Sequence, residues 1–262
     1  MTVEARGLFG DWRGYALVGL TAVFAIGALV APAMPQPMAY HSFADGRTLW
    51  SVANFLNVGS NLPFLVAGGL GLVLIWRGGG QFRDAREKLP YMVFFVGAAI
   101  TCIGSSYYHL APDNPRLVWD RLPMTLGFSG LVAAAVVERV DLRIGLRILW
   151  PMQLIGVVTV VYWAMTERAG AGNVIPYAAF QFWSIAVIVL LIAAFPARRY
   201  THGGLLAWAA VWYFLAKVFE ALDARVYDLL GGTLSGHSIK HVLASFAVLA
   251  VAWQLHVRRP LP

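Results

Sequence analysis

Two of the six histidines in this 262-residue chain stand four apart, in Gly236-His237-Ser238-Ile239-Lys240-His241, at the mouth of an apolar stretch that continues to about Leu255. On a helix the two imidazoles share one face, about 6 Å apart along the axis. Imidazole is costly to place in hydrocarbon unless it is paired or ligated. A third histidine, His109, closes another apolar stretch, with Ser105 one turn before it and Asp120 eleven residues after it. Three histidines and an open fourth position form the catalytic pattern of zinc, whereas a structural site is normally closed by a fourth protein ligand. The plainer readings are a solvated histidine pair at a helix start, an interfacial His109, and an Asp120 that caps a helix or pairs with a cation.

These residues need a scaffold, and the composition says which kind. The chain is 59% hydrophobic and 13% charged, about half the charge of a soluble domain, which points to a membrane. The net charge of +7 comes without a long basic run or nucleic-acid motif, so no nucleic-acid partner is expected. The single cysteine, Cys102, excludes an internal disulfide and packs as a small hydrophobe. Glu4 and Asp11 interrupt the charged start, and Ala31-Pro32-Ala33-Met34 is a weak cleavage site, so the first apolar segment is expected to stay as a span.

Eight stretches are long enough to cross about 30 Å of hydrocarbon: 14–31, 50–76, 89–110, 119–137, 144–165, 174–195, 204–222 (extending toward Tyr227) and 237–256. Backbone hydrogen bonding in lipid makes them helices, and the fold class is an all-α polytopic membrane protein. With the N-terminus in the cytoplasm, thirteen Lys and Arg fall in cytoplasmic segments and four in the opposite loops. This bias follows the positive-inside rule and puts both termini in the cytoplasm. His109, Asp120, His237 and His241 then all lie at the outer side, although more than a hundred residues separate them. That coincidence favours one shared zinc site. His41 could reach it from an outer loop but has no paired motif; His202 and His256 belong to the other side.

Other polar residues inside the spans extend the candidate site. Asn54, Asn57 and Asn61 read as one amide face of the second span, ahead of a bend at Pro63, either bonding between helices or contacting a substrate. Lys217 and Glu220 read as an ion pair, with Asp223 and Asp228 nearer the outer end. Gly68, Gly69 and Gly71 allow close helix contact.

With these segments in view the chain resembles the alkaline ceramidase family, within the wider group of membrane hydrolases that includes adiponectin-receptor-like proteins. The matching segments are Asn57 to Asn61, Gly104-Ser105 to His109, Trp119-Asp120-Arg121-Leu122-Pro123-Met124, Leu222-Asp223 to Asp228, and Gly236-His237 to His241. The resemblance implies seven core helices around zinc held by His109, His237 and His241, with Ser105 and Asp120 beside the metal and its water. It places the catalytic domain at residues 50–256, after an added N-terminal helix and outer loop at 1–49 and before a cytoplasmic tail at 257–262. The expected reaction is hydrolysis of ceramide or a related N-acyl membrane lipid, with Asp120 as base and Ser105 stabilising the oxyanion. Asn57, Asn61, Tyr107, Tyr108 and Asp223 are candidates for substrate or supporting contacts, and no obligate protein partner is expected. The family's acidic calcium cluster is missing: Ala44-Asp45-Gly46-Arg47-Thr48-Leu49 offers one Asp beside an Arg, and Asn54 stands where a glutamate is expected. Calcium is therefore expected to be absent.

Three alternatives stay open: an ester or phospholipid hydrolase of the same group, a receptor or transporter, and a haem protein using paired histidines. The outer compartment is a periplasm or an organelle lumen, with the compact loops favouring a bacterial inner membrane.

Overall fold

The structure, a computed structural model, describes residues 11–262; Glu4 and Arg6, used above for the leader and the charge bias, lie outside them. The described residues form helices α1 (Trp12–Val30), α2 (Phe55–Gly59), α3 (Leu62–Trp76), α4 (Lys88–Leu110), α5 (Asn114–Arg139), α6 (Leu142–Arg168), α7 (Ile175–Ala194), α8 (Leu206–Ala221), α9 (Asp223–Leu229) and α10 (Gly236–Val257). Counting α2 and α3 as one unit, eight are long and apolar enough to cross a membrane, and no strand occurs among the described residues. The chain is an all-α polytopic membrane protein.

Polar residues at the boundaries start the helices. The carboxylates of Asp11, Asp113 and Asp141 accept first-turn backbone N–H groups of α1, α5 and α6, and Ser235 Oγ accepts from Ser238 N–H at 3.1 Å in α10. These acceptors satisfy donors that have no partner inside the helix. Pro63, Pro115 and Pro176 sit in first turns, where a missing N–H is harmless.

Helix α4 and helix α5 run antiparallel along a seam that admits no side chain at Gly97, Gly104 or Gly130. A Cβ on Gly104 would overlap the Trp119 carbonyl, and one on Gly130 would stand 2.5 Å from Phe94 N. Gly68 and Gly71 let α3 close on Phe95 and Ala99 of α4 in the same way, whereas Gly69 faces open space. Helix α1 rests on α7, with Trp183 Nε1 donating to Thr21 Oγ1 at 3.0 Å, and most of its surface is exposed. At the far end from the histidines, the buried Arg258 pairs with Glu138, lies on the Tyr200 ring at 3.8 Å and donates to Gly80 O at 2.8 Å.

Three boundaries differ from expectation. The second span begins at Phe55 rather than residue 50, because Trp50, Ser51 and Asn54 adopt left-handed conformations, and it breaks at Ser60–Asn61 before Pro63. Asn54 is thus not on a helical stripe with Asn57 and Asn61. The fourth span starts at Asn114, capped by Asp113, so Asp120 lies inside α5 and does not cap it. The seventh span ends at Ala221 and the chain restarts as the separate α9, so the region near Tyr227 is not a continuation.

Candidate metal centre

The C-terminal end of α4 and the first turns of α10 bring His109, His237 and His241 together, all buried, with ligand atoms within 4.8 Å of one another. His109 Nε2 and His237 Nε2 face each other at 3.3 Å. Two nitrogens bound tetrahedrally to zinc at about 2.0–2.1 Å stand roughly 3.3–3.4 Å apart, so the spacing suits that ion. His241 Nδ1 lies 2.8 Å from Ser60 Oγ, which in turn donates to Asn57 O at 3.2 Å. Accepting the Nδ1 proton at Ser60 leaves Nε2 free as a ligand and fixes the ring. The donor set fits a divalent ion of zinc type.

The break between α2 and α3 organises this support. Asn57 Nδ2 donates to Asp45 O at 2.9 Å, and its Oδ1 accepts from Ser238 Oγ at 2.9 Å, joining the loop before α2, α2 itself and α10. Asn61 Nδ2 closes the break by donating to Asn57 O at 2.8 Å. Asn54 donates to His109 O at 2.9 Å and holds the end of α4. Asp223 accepts from His237 N–H at 2.7 Å and from Ala44 N–H at 2.9 Å, so one carboxylate secures both the first turn of α10 and the loop before α2. Asn57, Asn61 and Asp223 therefore brace the histidines through backbone and hydroxyl groups.

Tyr108 is buried and bonds His41 Nδ1 through its hydroxyl at 2.9 Å, while His41 Nε2 is engaged by Asn114 Oδ1 at 2.9 Å. His41 thus belongs to the wall around the site and not to the ligand set. Tyr107 is exposed, with the Arg116 guanidinium 5.8 Å over its ring, and faces away from the histidines. Asp228 is exposed as well. Phe43, in the loop before α2, packs at 4.7 Å on the His109 ring and 4.3 Å on the His237 ring. It excludes water from that side.

Ser105 and Asp120 lie against each other across the α4–α5 seam. Both open into a cavity of about 210 Å³ that His241 also lines. Phe64, Phe94, Leu131, Ile188, Ala209 and Val248 line its apolar wall. Phe94 is eleven residues before Ser105 on α4, which places the apolar wall roughly 16 Å along the helix axis. The shape suits a polar group at the histidine end and an alkyl chain below it.

The spacing of the sequence points to the three histidines, Ser105 and Asp120; the fold clusters the histidines and sets Ser105 and Asp120 on one cavity with His241. Ser60, Phe43 and Tyr40, which also lines the cavity, were missed. Ser60 sat inside the recognised Asn57–Asn61 segment but off the asparagine spacing. Phe43 carried no motif, since an aromatic in a loop is ordinary.

No curated protein matches the chain. The family model described as Ceramidase matches residues 47–259, a stretch holding Ser60, Ser105, Asp120 and all three clustered histidines, and the chain belongs to the ceramidase family.

Proposed function

We propose that the protein is a zinc-dependent amidohydrolase that cleaves ceramide or a related N-acyl lipid to a long-chain amine and a fatty acid. The observation that carries this reading is the cluster of His109, His237 and His241, of which His241 lines an apolar cavity together with Ser105 and Asp120; family membership supports an amide of ceramide type. His109, His237 and His241 would hold the zinc ion, which would supply Lewis acidity for the amide carbonyl and lower the pKa of a water toward about 7.

The chain's own groups do the rest. Asp120 takes a proton from water at a carboxylate oxygen as the water oxygen bonds to the carbonyl carbon, then returns it to the amide nitrogen as the C–N bond breaks. One water is consumed, and a carboxylic acid and an amine leave. Ser105 donates its hydroxyl to the oxygen on which negative charge develops. Phe43 and the buried Tyr108 keep bulk water away from the histidines.

Calcium has no place in this scheme. Arg47 Nε reaches Asp45 Oδ1 at 2.8 Å and Nη2 reaches Oδ2 at 2.7 Å, while Nη2 also donates to Thr233 O at 2.6 Å. Both oxygens of Asp45 are committed to a guanidinium, both oxygens of Asp223 to backbone N–H groups, and Asn54 turns to His109 O, so the donor set does not fit a hard cation. Residues 50–256 form the catalytic unit and α1 is an added helix, a division that the family match supports. The loop charges favour both termini in the cytoplasm and the site on the outer side.

Purified protein should hydrolyse ceramide, lose turnover on zinc chelation and regain it with added zinc. Asp120→Asn should retain zinc while turnover falls about 10²–10⁴-fold. Cleavage of phospholipid alone, or ceramide turnover that survives complete removal of metal, rejects the proposal.

A further inference from the structure

A set of charges at the polar end of the cavity has no part in that scheme. Glu220 holds Lys240 Nζ at 2.7 Å on one carboxylate oxygen and Lys217 on the other. All three line the cavity together with Asp120 and Arg121. Arg121 is only 6% exposed; Nη2 donates to Gln36 Oε1 at 2.6 Å, the guanidinium lies 4.1 Å over the Trp163 ring, and Nη1 has no acceptor. The cavity-lining residues thus include three cations and two carboxylates.

A charge excess in a mostly apolar cavity is poorly screened. The Lys240–Glu220 pair is largely withdrawn from water while Lys217 stays about one-third exposed, and ion pairs so placed are not justified by stability alone, because desolvation offsets their attraction. A neutral head group leaves the positive excess unanswered. A carboxylate neutralises it, gives Arg121 the acceptor it lacks, and competes for the lysines that Glu220 shares.

We propose that Lys217, Lys240 and Arg121 form an anion subsite, and that the preferred substrate is an N-acyl lipid with a carboxylate close to the amide, as in an N-acyl amino acid. This rests on the hydrolase reading and narrows its substrate class. Lys240 is adjacent to His241 in sequence and, with Arg121, is among the charges close enough to act on Asp120, so a carboxylate held there adjoins the scissile amide. The carboxylate of a fatty-acid product has the same chemistry, and the assay must separate the two sources.

The test compares N-oleoylglycine with its neutral isostere N-oleoylglycinamide, using the full chain in detergent. Wild type should show at least tenfold higher kcat/KM for the acid. Lys240→Met and Lys217→Met should each reduce kcat/KM for the acid at least tenfold more than for the amide; each leaves Glu220 one lysine partner. Binding is read separately by tryptophan fluorescence in Asp120→Asn, which should hold the acid tenfold tighter than the amide, with Lys240→Met removing the difference. Equal treatment of acid and amide overturns the subsite even if both are cleaved. Tighter binding of oleate than of N-oleoylglycine overturns the head-group assignment. Charge-selective binding without cleavage of any lipid upholds the subsite and rejects the hydrolase reading.

Discussion

Replacing Gly104 with alanine tests whether the α4–α5 seam sets the active geometry. A Cβ at Gly104 would overlap the Trp119 carbonyl and stand 3.3 Å from Pro123 Cγ. A carbon–oxygen contact needs roughly 3.3–3.6 Å, so the two helices must part locally by about 1 Å or more. Gly104 precedes Ser105, and Trp119 precedes Asp120, so the separation falls directly on the pair that would handle the proton and the oxyanion. A displacement of about 1 Å costs on the order of 10² in rate, or about 2.7 kcal/mol of barrier. Folding should survive: overpacking costs about 1–3 kcal/mol, partly offset by about 1 kcal/mol from alanine over glycine in a helix. Gly130→Ala is the control, because its Cβ would strike Phe94 N and Pro90 O further along the same seam. Ceramide turnover, zinc content and Tm should be measured for both variants. Gly104→Ala should keep its zinc and lose about a hundredfold in turnover, while Gly130→Ala shows a similar fall in Tm and less than a tenfold loss of activity. Turnover of Gly104→Ala above a third of wild type, or parallel losses in the two variants, refutes the reasoning.

Two other perturbations address the supports. Ser60→Ala removes the acceptor at His241 Nδ1 and should weaken zinc binding about 10–100-fold, read by competition with a chromogenic chelator; unchanged affinity would show that the ring is oriented by packing alone. Arg47, bonded to Asp45, holds that carboxyl below its usual range. The stabilisation is therefore present above the unfolded value of about 3.9 and is lost as pH falls through the lower folded value. The Tm difference between wild type and Asp45→Asn should be full near pH 7 and shrink below about pH 4; a gap independent of pH between 7 and 3 contradicts the ion-pair account.

The eight long helices were legible because lipid demands the same apolar length from every span, and none of the eight was misassigned in kind. Their ends were less so. Asn114 to Val118 looked like loop because Pro115 and Arg116 are polar or helix-breaking in mid-helix, yet both are at home in a first turn after the Asp113 cap. Gly59, Ser60, Asn61 and Pro63 weaken the helix locally, but the place of the break at Ser60–Asn61 is fixed by long-range bonds from Asn57 to Asp45 O and between Ser60 and His241, which have no local signature. The candidate site was readable where residue type is expensive in a membrane: histidines, Asp120, Lys217 with Glu220. The bridge from Lys240 to Glu220 spans α10 and α8, and no spacing within one helix could reveal it. Tyr107 and Tyr108 are neighbours in sequence but about 100° apart around α4, so one is exposed and the other buried.

The Asp223 carboxylate that holds both Ala44 N–H and His237 N–H makes the loop before α2 and the first turn of α10 a single cooperative unit. An opening that frees the loop through this carboxylate also loosens His237, so a ligand of the histidines opposes that opening by mass action. Metal at a hundred times its dissociation constant adds about 2.7 kcal/mol against any opening that dismantles the site. Amide exchange at Ala44 through that opening should then slow about a hundredfold, so a loop that touches no ligand itself would report whether the centre is loaded.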